Sequence, residues 1–480
     1  MALVIKAFVN RPDKNPAIGL IEKISYGLGD FSSQLLLTPV SMLFMYYATE
    51  YVNIGMAEVG FIMMLSRVFD GMSDLLVGYL IERTKSPYGK TRAWILRMII
   101  PYFICGIAIF SVPAGLSDWL KYIYIFLVYN LTITVVYTSI NLPYGALSTL
   151  MTQDSYQRSV LVIFRMLGAT AGGTLVMMGV LPLVHYLGND QMAWTITAAV
   201  ISAIACLGFF CTFYFCHERV VSEPVSAERG DTLKAIKKIM RNKYWVMLTI
   251  AMLFVCAADI VSGNASAYYC RYYLQDDTLI GTLAAISNIC KVAGMILIVP
   301  FMLKQLGKRN SLMLAAAVIV GANLSRTVAP YSVELNYVIS ALCGLGSGFT
   351  YTCLFAMIPD CVEYSEYRDH ERHEGLVYSS VSFASKVAGG LGVLVSSLVM
   401  NFGGYVNGAA TQTAQAMDAI LAAHTIIPPL MFIIAIVALS FYQLDKIYDD
   451  VIKELKRRHM DDVTAQPELA VATVPAKTRD

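Results

Sequence analysis

Two carboxylates lie one helical turn apart inside an apolar stretch of this chain. Asp70 and Asp74 belong to the segment SRVFDGMSDLLVGYLIERTKSPYGKTRAW, residues 66–94. At 3.6 residues per turn, a spacing of four places both on one face of a helix. Because an acid inside hydrocarbon costs several kcal/mol, such a pair must face a water-filled cavity, a cation or a partner base. The second half of the segment turns into a short basic loop, as expected at a cytoplasmic surface.

The composition is that of a membrane protein. The chain has 480 residues, 57% of them hydrophobic and 15% charged, with a mean hydropathy of +0.58. A soluble domain carries about a quarter charged residues. The net charge of +2 and the lack of a basic face exclude a nucleic-acid-binding protein. The ten cysteines lie almost all in apolar runs without metal-ligand spacing, which favours free thiols.

Apolar stretches of about 20 residues predict about twelve transmembrane helices. The polar N-terminus lacks the apolar core of a signal peptide, so the first of these helices is expected to remain and direct insertion. The predicted helices cover residues 24–50, 56–82, 93–113, 120–150, 160–184, 192–216, 244–272, 279–304, 309–328, 335–359, 376–402 and 418–443.

The distribution of Lys and Arg predicts the orientation. Connections 83–92 and 217–243 are rich in bases, whereas 51–55 and 403–417 contain none. This asymmetry places both termini in the cytoplasm. Six predicted helices precede and six follow the polar segment 217–243, an arrangement typical of the major facilitator superfamily with a central cavity between two halves.

We therefore predict an all-α membrane protein with the major facilitator fold, about twelve transmembrane helices in two six-helix halves. The linker between the halves is expected to contain a short amphipathic helix along the membrane surface. The tail is expected to be largely disordered, because it is rich in Ala, Pro, Thr and charge. The predicted units are an N-terminal half (1–216), a cytoplasmic linker (217–243), a C-terminal half (244–443) and a cytoplasmic tail (444–480).

Five further ionisable residues lie deep inside predicted helices: Asp30, Arg165, Asp259, Lys291 and Lys386. They could simply pair with one another and hold helices together. The set also fits a cavity with an acidic N-terminal side and a basic residue opposite. The charge that must be balanced in such a cavity changes with the molecule it holds. A monovalent cation that binds and leaves can balance it.

Polar groups in the fourth predicted helix suit a sugar. The segment VYTSINLPYGAL contains Thr138, whose hydroxyl is a suitable cation ligand, and Asn141, which can both donate to and accept from a sugar hydroxyl. Pro143 removes one backbone donor and is expected to loosen the helix. Tyr351 in the tenth helix could stack on a pyranose ring. For Tyr137 and Tyr351 ordinary helix packing is the alternative in a chain with 29 tyrosines.

Four segments resemble the glycoside–pentoside–hexuronide:cation symporter family. They are YGLGD (26–30), RVFDGMSDLLVGYLIERTKSPYGKTR (67–92), NLPYGAL (141–147) and DCVEYSEYRDHERHEGLVYSSVSFASK (360–386). The similarity extends over nearly the whole chain except the tail. It implies sugar uptake coupled to Na⁺, Li⁺ or H⁺ by alternating access.

By position in these segments, the resemblance assigns roles to individual residues. Asp70, Asp74 and Thr138 correspond to the cation ligands, the two acids being the metal ligands if the ion is sodium. The residues corresponding to the sugar-contacting set are Asp30, Tyr137, Asn141, Arg165 and Tyr351, with Lys386 near the junction of cation and sugar.

The chain departs from a melibiose-transporting member of the family at three positions. Asn141 replaces an acid that grips galactosyl hydroxyls, Gly145 replaces a Trp, and Tyr351 replaces another Trp. These changes widen the site and argue against melibiose. Loss of the acid, with Lys291 as an additional base, would tolerate an anionic sugar such as a glucuronide or a sulfonated sugar.

The loop after the second helix is predicted to contribute to gating. Glu82, Arg83 and Arg92 could pair with helix ends of the other half in one state and release them in the next. The segment 360–374, dense in both charge signs, is the corresponding candidate in the second half. A simple solvated loop is the competing interpretation.

The prediction is cation-coupled symport of a glycoside into the cell across a bacterial cytoplasmic membrane, with Na⁺ or H⁺ as the coupling ion. The carrier is expected to function as a monomer in the bilayer and to need no cofactor. A carrier of an amphiphile such as a lysolipid and a membrane sensor are the alternatives. An enzyme is not expected, since no nucleophile–base pair, phosphate loop or metal-ligand spacing is present.

Overall fold

The computed structural model describes residues 18–152, 155–219, 240–369 and 374–465. Within these ranges the chain is helical and contains no strand. Two short π-helical segments, Asn130–Tyr137 and Gly294–Ile298, interrupt the α-helices. The α-helices are α1 (Leu20–Met42), α2 (Phe44–Glu50), α3 (Met56–Glu82), α4 (Lys90–Ala108), α5 (Asp118–Tyr129), α6 (Thr138–Met151), α7 (Ser155–Tyr186), α8 (Gln191–Phe215), α9 (Lys243–Tyr272), α10 (Leu279–Ala293), α11 (Val299–Ser325), α12 (Val333–Asp369), α13 (Glu374–Phe402), α14 (Ala414–Thr425), α15 (Ile427–Ser440) and α16 (Leu444–Ala465).

These helices form the predicted all-α bundle of about twelve crossings in two halves. In the described ranges, nine helical stretches are long and apolar enough to cross a membrane by length and composition. Helix α3 is not among them, because each of its 18-residue windows contains at least three charged residues. It nevertheless packs inside the bundle against α13. The helix that carries the predicted ion site is thus too rich in charge to qualify as a membrane span by composition alone.

Helix α11 contains a reversal that separates two predicted crossings. Gly307 has a φ of 74° and a ψ of 173°, a backbone conformation that L side chains rarely adopt. The chain turns there between the crossings predicted at 279–304 and 309–328. Glycine at this position allows the two crossings to follow one another with almost no loop.

Glycines bring α1 and α7 close together in the N-terminal half. A Cβ at Gly168 would lie 2.0 Å from the carbonyl oxygen of Gly27, and a Cβ at Gly172 would lie 2.6 Å from that of Phe31. Larger residues at these positions would force the helices apart. This close approach places Asp30 of α1 directly beside α7.

The two halves meet along α3 and α13, and also along α7 and α10. A Cβ at Gly60 would lie 2.0 Å from the hydroxyl oxygen of Ser397, and a Cβ at Gly71 would lie 3.1 Å from the ring of Phe383. On the other helix, a Cβ at Gly390 would lie 3.2 Å from the carbonyl oxygen of Met64. We refer to the contact of α3 with α13 at Gly60, Gly71 and Gly390 as the glycine seam.

The structure corrects one prediction about the ends of the chain and leaves others open. Helix α16 covers residues 444–465, so the expectation of a largely disordered tail is wrong for this part. Its polar and charged sequence is amphipathic enough to bury Val451 and Leu455. Residues 466–480, and the predicted amphipathic helix of the linker within 220–239, lie outside the described residues.

The carboxylate of Glu218, just beyond α8, caps the first turn of α4. It accepts hydrogen bonds from the backbone N–H of Lys90 (3.1 Å), Thr91 (2.8 Å) and Arg92 (3.0 Å), and from the Thr91 hydroxyl (2.6 Å). The first N–H groups of a helix have no partner within it, and an anion there also interacts favourably with the helix dipole.

We expect Glu218→Gln to lower the free energy of unfolding by about 1–3 kcal/mol, because a neutral amide replaces a buried charged acceptor. The loss would appear as a lower midpoint of thermal unfolding of the detergent-solubilised protein. Glu334→Gln, a change of the same kind at an exposed position, serves as the control. Equal midpoints for the two variants would contradict the capping role.

Candidate functional site

The acid pair of α3 encloses an ammonium group from the other half of the molecule. The Nζ of Lys386, on α13, lies 2.5 Å from Oδ2 of Asp74 and 3.3 Å from Oδ2 of Asp70. The side chain of Asp70 is 6% exposed, whereas that of Asp74 is 34% exposed. The lysine thus neutralises part of the acid pair and joins the two halves. We call Asp70, Asp74 and Lys386 the charge triad.

Thr138, predicted as a cation ligand, lies beside the charge triad. Its hydroxyl donates to Oδ1 of Asp70 at 3.1 Å and lies 3.4 Å from the carbonyl oxygen of Ile133. The helix departs from α geometry over Asn130–Tyr137, just before Thr138, and continues regularly through Pro143. The irregularity expected at Pro143 therefore lies about two to four turns earlier, where the wider π turn changes the direction in which Thr138 points.

Arg67 is a charged neighbour that the sequence argument missed. It lies three residues before Asp70 and seven before Asp74, which is the same helical face. Its guanidinium donates to the hydroxyl of Ser41 at 3.2 Å, and its stem packs against Gly390. The spacing in RVFDGMSD could have revealed it. Arg67 adds a second positive charge near the acid pair and packs on the glycine seam.

A second ion pair lies between α1 and α7. The Nε of Arg165 donates to Oδ2 of Asp30 at 3.1 Å, and the guanidinium lies 5.4 Å from the ring centre of Tyr144. A Cβ at Gly145 would lie 3.7 Å from Arg165. Because Gly145 has no side chain, the guanidinium stays open on that side, and the Arg165 side chain as a whole is 31% exposed. Asp30 and Arg165 thus form a paired but accessible site.

The remaining predicted sugar residues of the N-terminal half border these two ion pairs. Asn141 accepts a hydrogen bond from the hydroxyl of Ser33 at 3.4 Å and is partly exposed. Tyr137 interacts electrostatically with both Asp30 and Asp70, so it lies between the two sites. The structure thus brings the N-terminal residues of both predicted sets into one region.

Tyr351 belongs to a separate group in the C-terminal half. The Nζ of Lys291 lies 4.7 Å from the centre of its ring, and its hydroxyl lies 3.8 Å from the sulfur of Cys256. The charges of Lys291 and Asp259 interact with each other. Tyr351, predicted together with Asp30 and Arg165, is thus held by residues of α9 and α10 in its own half.

Two of the three predicted gating residues, Arg92 and Arg83, make contacts within the N-terminal half. Arg92 is fully buried and donates to the carbonyl oxygen of Phe213 through Nη2 (2.7 Å) and Nε (3.1 Å). The guanidinium of Arg83 lies 4.3 Å from the ring centre of Tyr79 on the same helix. The side chain of Glu82 lies outside the described residues. The gating role of these three residues stays a prediction.

The corresponding segment 360–374 of the second half is described only in part. Asp360 is buried, and its oxygens both lie 2.7 Å from Nζ of Lys308 in the same half. Residues 370–373 lie outside the described ranges. A contact of this segment with the N-terminal half stays a prediction.

At the end of the bundle remote from the basic loops, a network of polar residues joins the halves. The Arg271 guanidinium lies 2.7 Å from the Glu50 carboxylate and donates to the Tyr46 hydroxyl at 3.1 Å. That hydroxyl donates to Asp277 at 2.7 Å, and Nε2 of His185 lies 3.3 Å from the same carboxylate. We call these five residues the closure network. Sequence reasoning left the role of Arg271 open.

The closure network is reinforced by neighbouring side chains. Thr49 and Tyr268 share a hydrogen bond of 2.8 Å between their hydroxyls, and Tyr405 donates to Glu50. Nδ2 of Asn407 donates to the carbonyl oxygen of Ile54 at 2.8 Å. Each of these bonds crosses from one half to the other. The molecule is therefore closed at this end.

A bundle of this kind, with paired charges at its centre and one end sealed, is the architecture of a multi-pass membrane transporter. The chain matches the family described as MFS/sugar transport protein over residues 25–446, and it therefore belongs to that family. This confirms the relationship predicted from the four sequence segments.

Curated relatives support the same assignment. The chain is 31% identical to the uncharacterized symporter YnaJ of Bacillus subtilis (strain 168), over 93% of this chain and 98% of that protein. It is 28% identical to the glucuronide carrier protein homolog of Escherichia coli (strain K12), over 91% and 95% of the two chains. Among solved structures, the nucleoside transporter NupG, in a mutant form, matches with a TM-score of 0.63 at 15% identity, over 88% of this chain and 100% of that one. This last likeness shows the fold.

We expect Arg271→Gln to open the closure network, because it leaves Glu50 buried without its ion pair. A cysteine introduced at the fully buried Thr49 should then react about tenfold faster with a membrane-impermeant maleimide than in the Thr49→Cys chain alone, a change of about 1.4 kcal/mol in the opening equilibrium. Lys121→Gln, a charge removal outside the network, is the control. An unchanged labelling rate would contradict the sealing role of Arg271.

Proposed function

We propose that the protein is a monomeric symporter of the bacterial cytoplasmic membrane, which couples entry of a monovalent cation to uptake of a glycoside. The single observation that carries this proposal is the charge triad. Its acids lie in the N-terminal half and its ammonium in the C-terminal half. An ion bound by the acids therefore competes with a contact that holds the two halves together.

The proposed cation site consists of the carboxylates of Asp70 and Asp74 with the hydroxyl of Thr138. Oxygen ligands of this kind suit sodium. A proton is the alternative ion, since a carboxyl beside a second carboxylate can bind one. We favour sodium, because the hydroxyl of Thr138, bonded to Asp70, adds a third oxygen beside the two carboxylates. The cation replaces the ammonium of Lys386, which moves away with its own half.

The proposed sugar site is the neighbouring region around Asp30, Arg165 and Asn141, with space beside Gly145. A carboxylate, a guanidinium and an amide together can pair with several hydroxyls of a sugar ring. Tyr137 borders both sites, so a change in charge at Asp70 is felt where the sugar binds. Each ligand then raises the affinity for the other, and about 1–3 kcal/mol of such coupling suffices.

Alternating access follows from the positions of the two cross-half contacts. In the described state the closure network seals the end that we assign to the outside of the cell, so this state faces the cytoplasm. Opening to the outside requires the closure network to break. The name of one relative, glucuronide carrier protein homolog, makes an anionic glycoside a candidate substrate.

We expect Asp74→Asn to abolish cation-driven accumulation of the transported glycoside, because one of the two negative charges that bind the ion is lost. The measurement is uptake into proteoliposomes with a sodium gradient, a proton gradient or neither. Glycosides, glucuronides and a lysolipid are tested in parallel. Asp118→Asn, at a side chain that is 82% exposed, is the matched control. Movement of the lysolipid alone would overturn the sugar proposal.

Lys386→Gln tests the competition between ammonium and cation. The variant should bind sodium at least as tightly as the wild type, since the ammonium no longer occupies the acid pair, yet it should lose gradient-driven accumulation. Sodium binding is measured by titration calorimetry and accumulation in proteoliposomes. Lys304→Gln, at an exposed position of α11, controls for loss of a charge. Weaker sodium binding in Lys386→Gln would contradict direct competition.

A further inference from the structure

Lys291 differs from Lys386 and Arg165, two basic residues of the proposed sites, in its pairing. Lys386 and Arg165 each have a carboxylate oxygen within 3.3 Å. In the described part of the chain, Lys291 has no carboxylate oxygen within 4.0 Å and makes no hydrogen bond through its ammonium. Its contact is the ring of Tyr351, 4.7 Å from Nζ. An ammonium in such a place has three donors to offer.

The surrounding helices fix the position of Lys291. A Cβ at Gly344 would lie 2.2 Å from the carbonyl oxygen of Ser287, and a Cβ at Gly348 would lie 2.5 Å from that of Lys291. Helices α10 and α12 therefore touch at these two glycines. Tyr351 follows Gly348 by almost one turn, so its ring lies under the Lys291 side chain. The lysine is held on one side and remains partly exposed on the other.

Lys291 also lies near the level of the proposed sugar site. Asn288 of α10 donates to Thr174 of α7 at 3.1 Å across the boundary between the halves. Both helices have one end near the closure network: the last turn of α7 and the first turn of α10. A helix rises about 1.5 Å per residue. Lys291 lies three residues from Asn288 on α10, or about 4.5 Å nearer the basic loops. Arg165 lies nine residues from Thr174 on α7, or about 13.5 Å nearer the basic loops. The two side chains are thus separated by about 9 Å along the bundle.

We propose that Lys291, supported by Tyr351, binds the anionic group of a glycoside whose sugar ring lies at Asp30 and Arg165. The anion is a carboxylate or a sulfonate. This inference rests on the proposed function and names its substrate class. An ammonium near the protein interior binds such a group as a point charge, and the low dielectric strengthens the interaction. Asp259 offsets the charge of Lys291 only in part, because it stays outside direct contact.

A bound anion at Lys291 would connect the two halves through the substrate. The sugar ring would be held by α1 and α7 of the N-terminal half and the anion by α10 of the C-terminal half. The distance between the two binding regions then selects glycosides by the position of their charge as well as by its presence. Lys291 is a specificity-determining residue in this view.

The test uses p-nitrophenyl β-glucoside and p-nitrophenyl β-glucuronide, which differ only in whether the exocyclic carbon is an alcohol or a carboxylate. The corresponding 6-sulfonated glucoside covers the sulfonate. Affinities are measured in proteoliposomes as competition against uptake of a labelled glucoside. In Lys291→Met, the affinity for both anionic compounds should fall about tenfold or more, the effect of one charged hydrogen bond, while that for the glucoside changes less than about twofold.

Lys291→Arg should retain most of the affinity for the anions, and Lys304→Met should behave as the wild type. An equal loss for all three glycosides in Lys291→Met would indicate a structural role and overturn the inference. Wild-type protein that transports the glucoside with its cation but binds neither anion would also overturn it, while leaving the proposed function intact. Failure of all three compounds with every gradient would instead remove the proposed function.

Discussion

The structure depends on the placement of one ammonium between two carboxylates at the middle of a membrane bundle. Charges of this kind lose several kcal/mol of hydration when they leave water, and only close pairing compensates for the loss. The partners lie on opposite halves, so the charges are stable only while the halves stay in register. An ion that fits between Asp70 and Asp74 would give the two acids another partner. The acids would then no longer need Lys386 of the other half.

The N-terminal half contains most of the groups that we assign to binding, and the C-terminal half contains bases that answer them. Asp70 and Asp74 lie on α3 of the first half, whereas Lys386 lies on α13 of the second. Asp30 differs, because its partner Arg165 lies in the same half. In the proposed mechanism, binding and movement are coupled because the opposite charges of the charge triad lie on different halves.

Local spacing was sufficient to predict some parts of the site but not others. Asp70 and Asp74 followed from their spacing on one helix, and Thr138 followed from the type of its side chain. The pairing with Lys386 could not be predicted from spacing, since 312 residues separate it from Asp74. Arg92 was assigned to gating because it lies in the basic loop after the second predicted helix and could pair with the other half. Its burial depends on a carbonyl at Phe213, 121 residues away.

Composition predicted the twelve crossings and the two halves, since hydrocarbon thickness limits the length of each apolar run. The tail illustrates the converse. Its charged sequence has little core of its own, yet α16 forms because Val451 and Leu455 are buried. A sequence pattern shows which side chains avoid water but not what surface is available to cover them.

The glycine seam gives the two halves a smooth surface of contact. Interdigitated side chains must leave the grooves of the neighbouring helix before the helices can slide. Glycine has no side chain to interdigitate. Gly60, Gly71 and Gly390 therefore allow α3 and α13 to slide past each other rather than fixing their relative position. At these three positions, residues larger than glycine should be selected against, because the seam has little room for a side chain. A carrier with larger residues there would be slower in every turnover, whatever sugar or ion it transported.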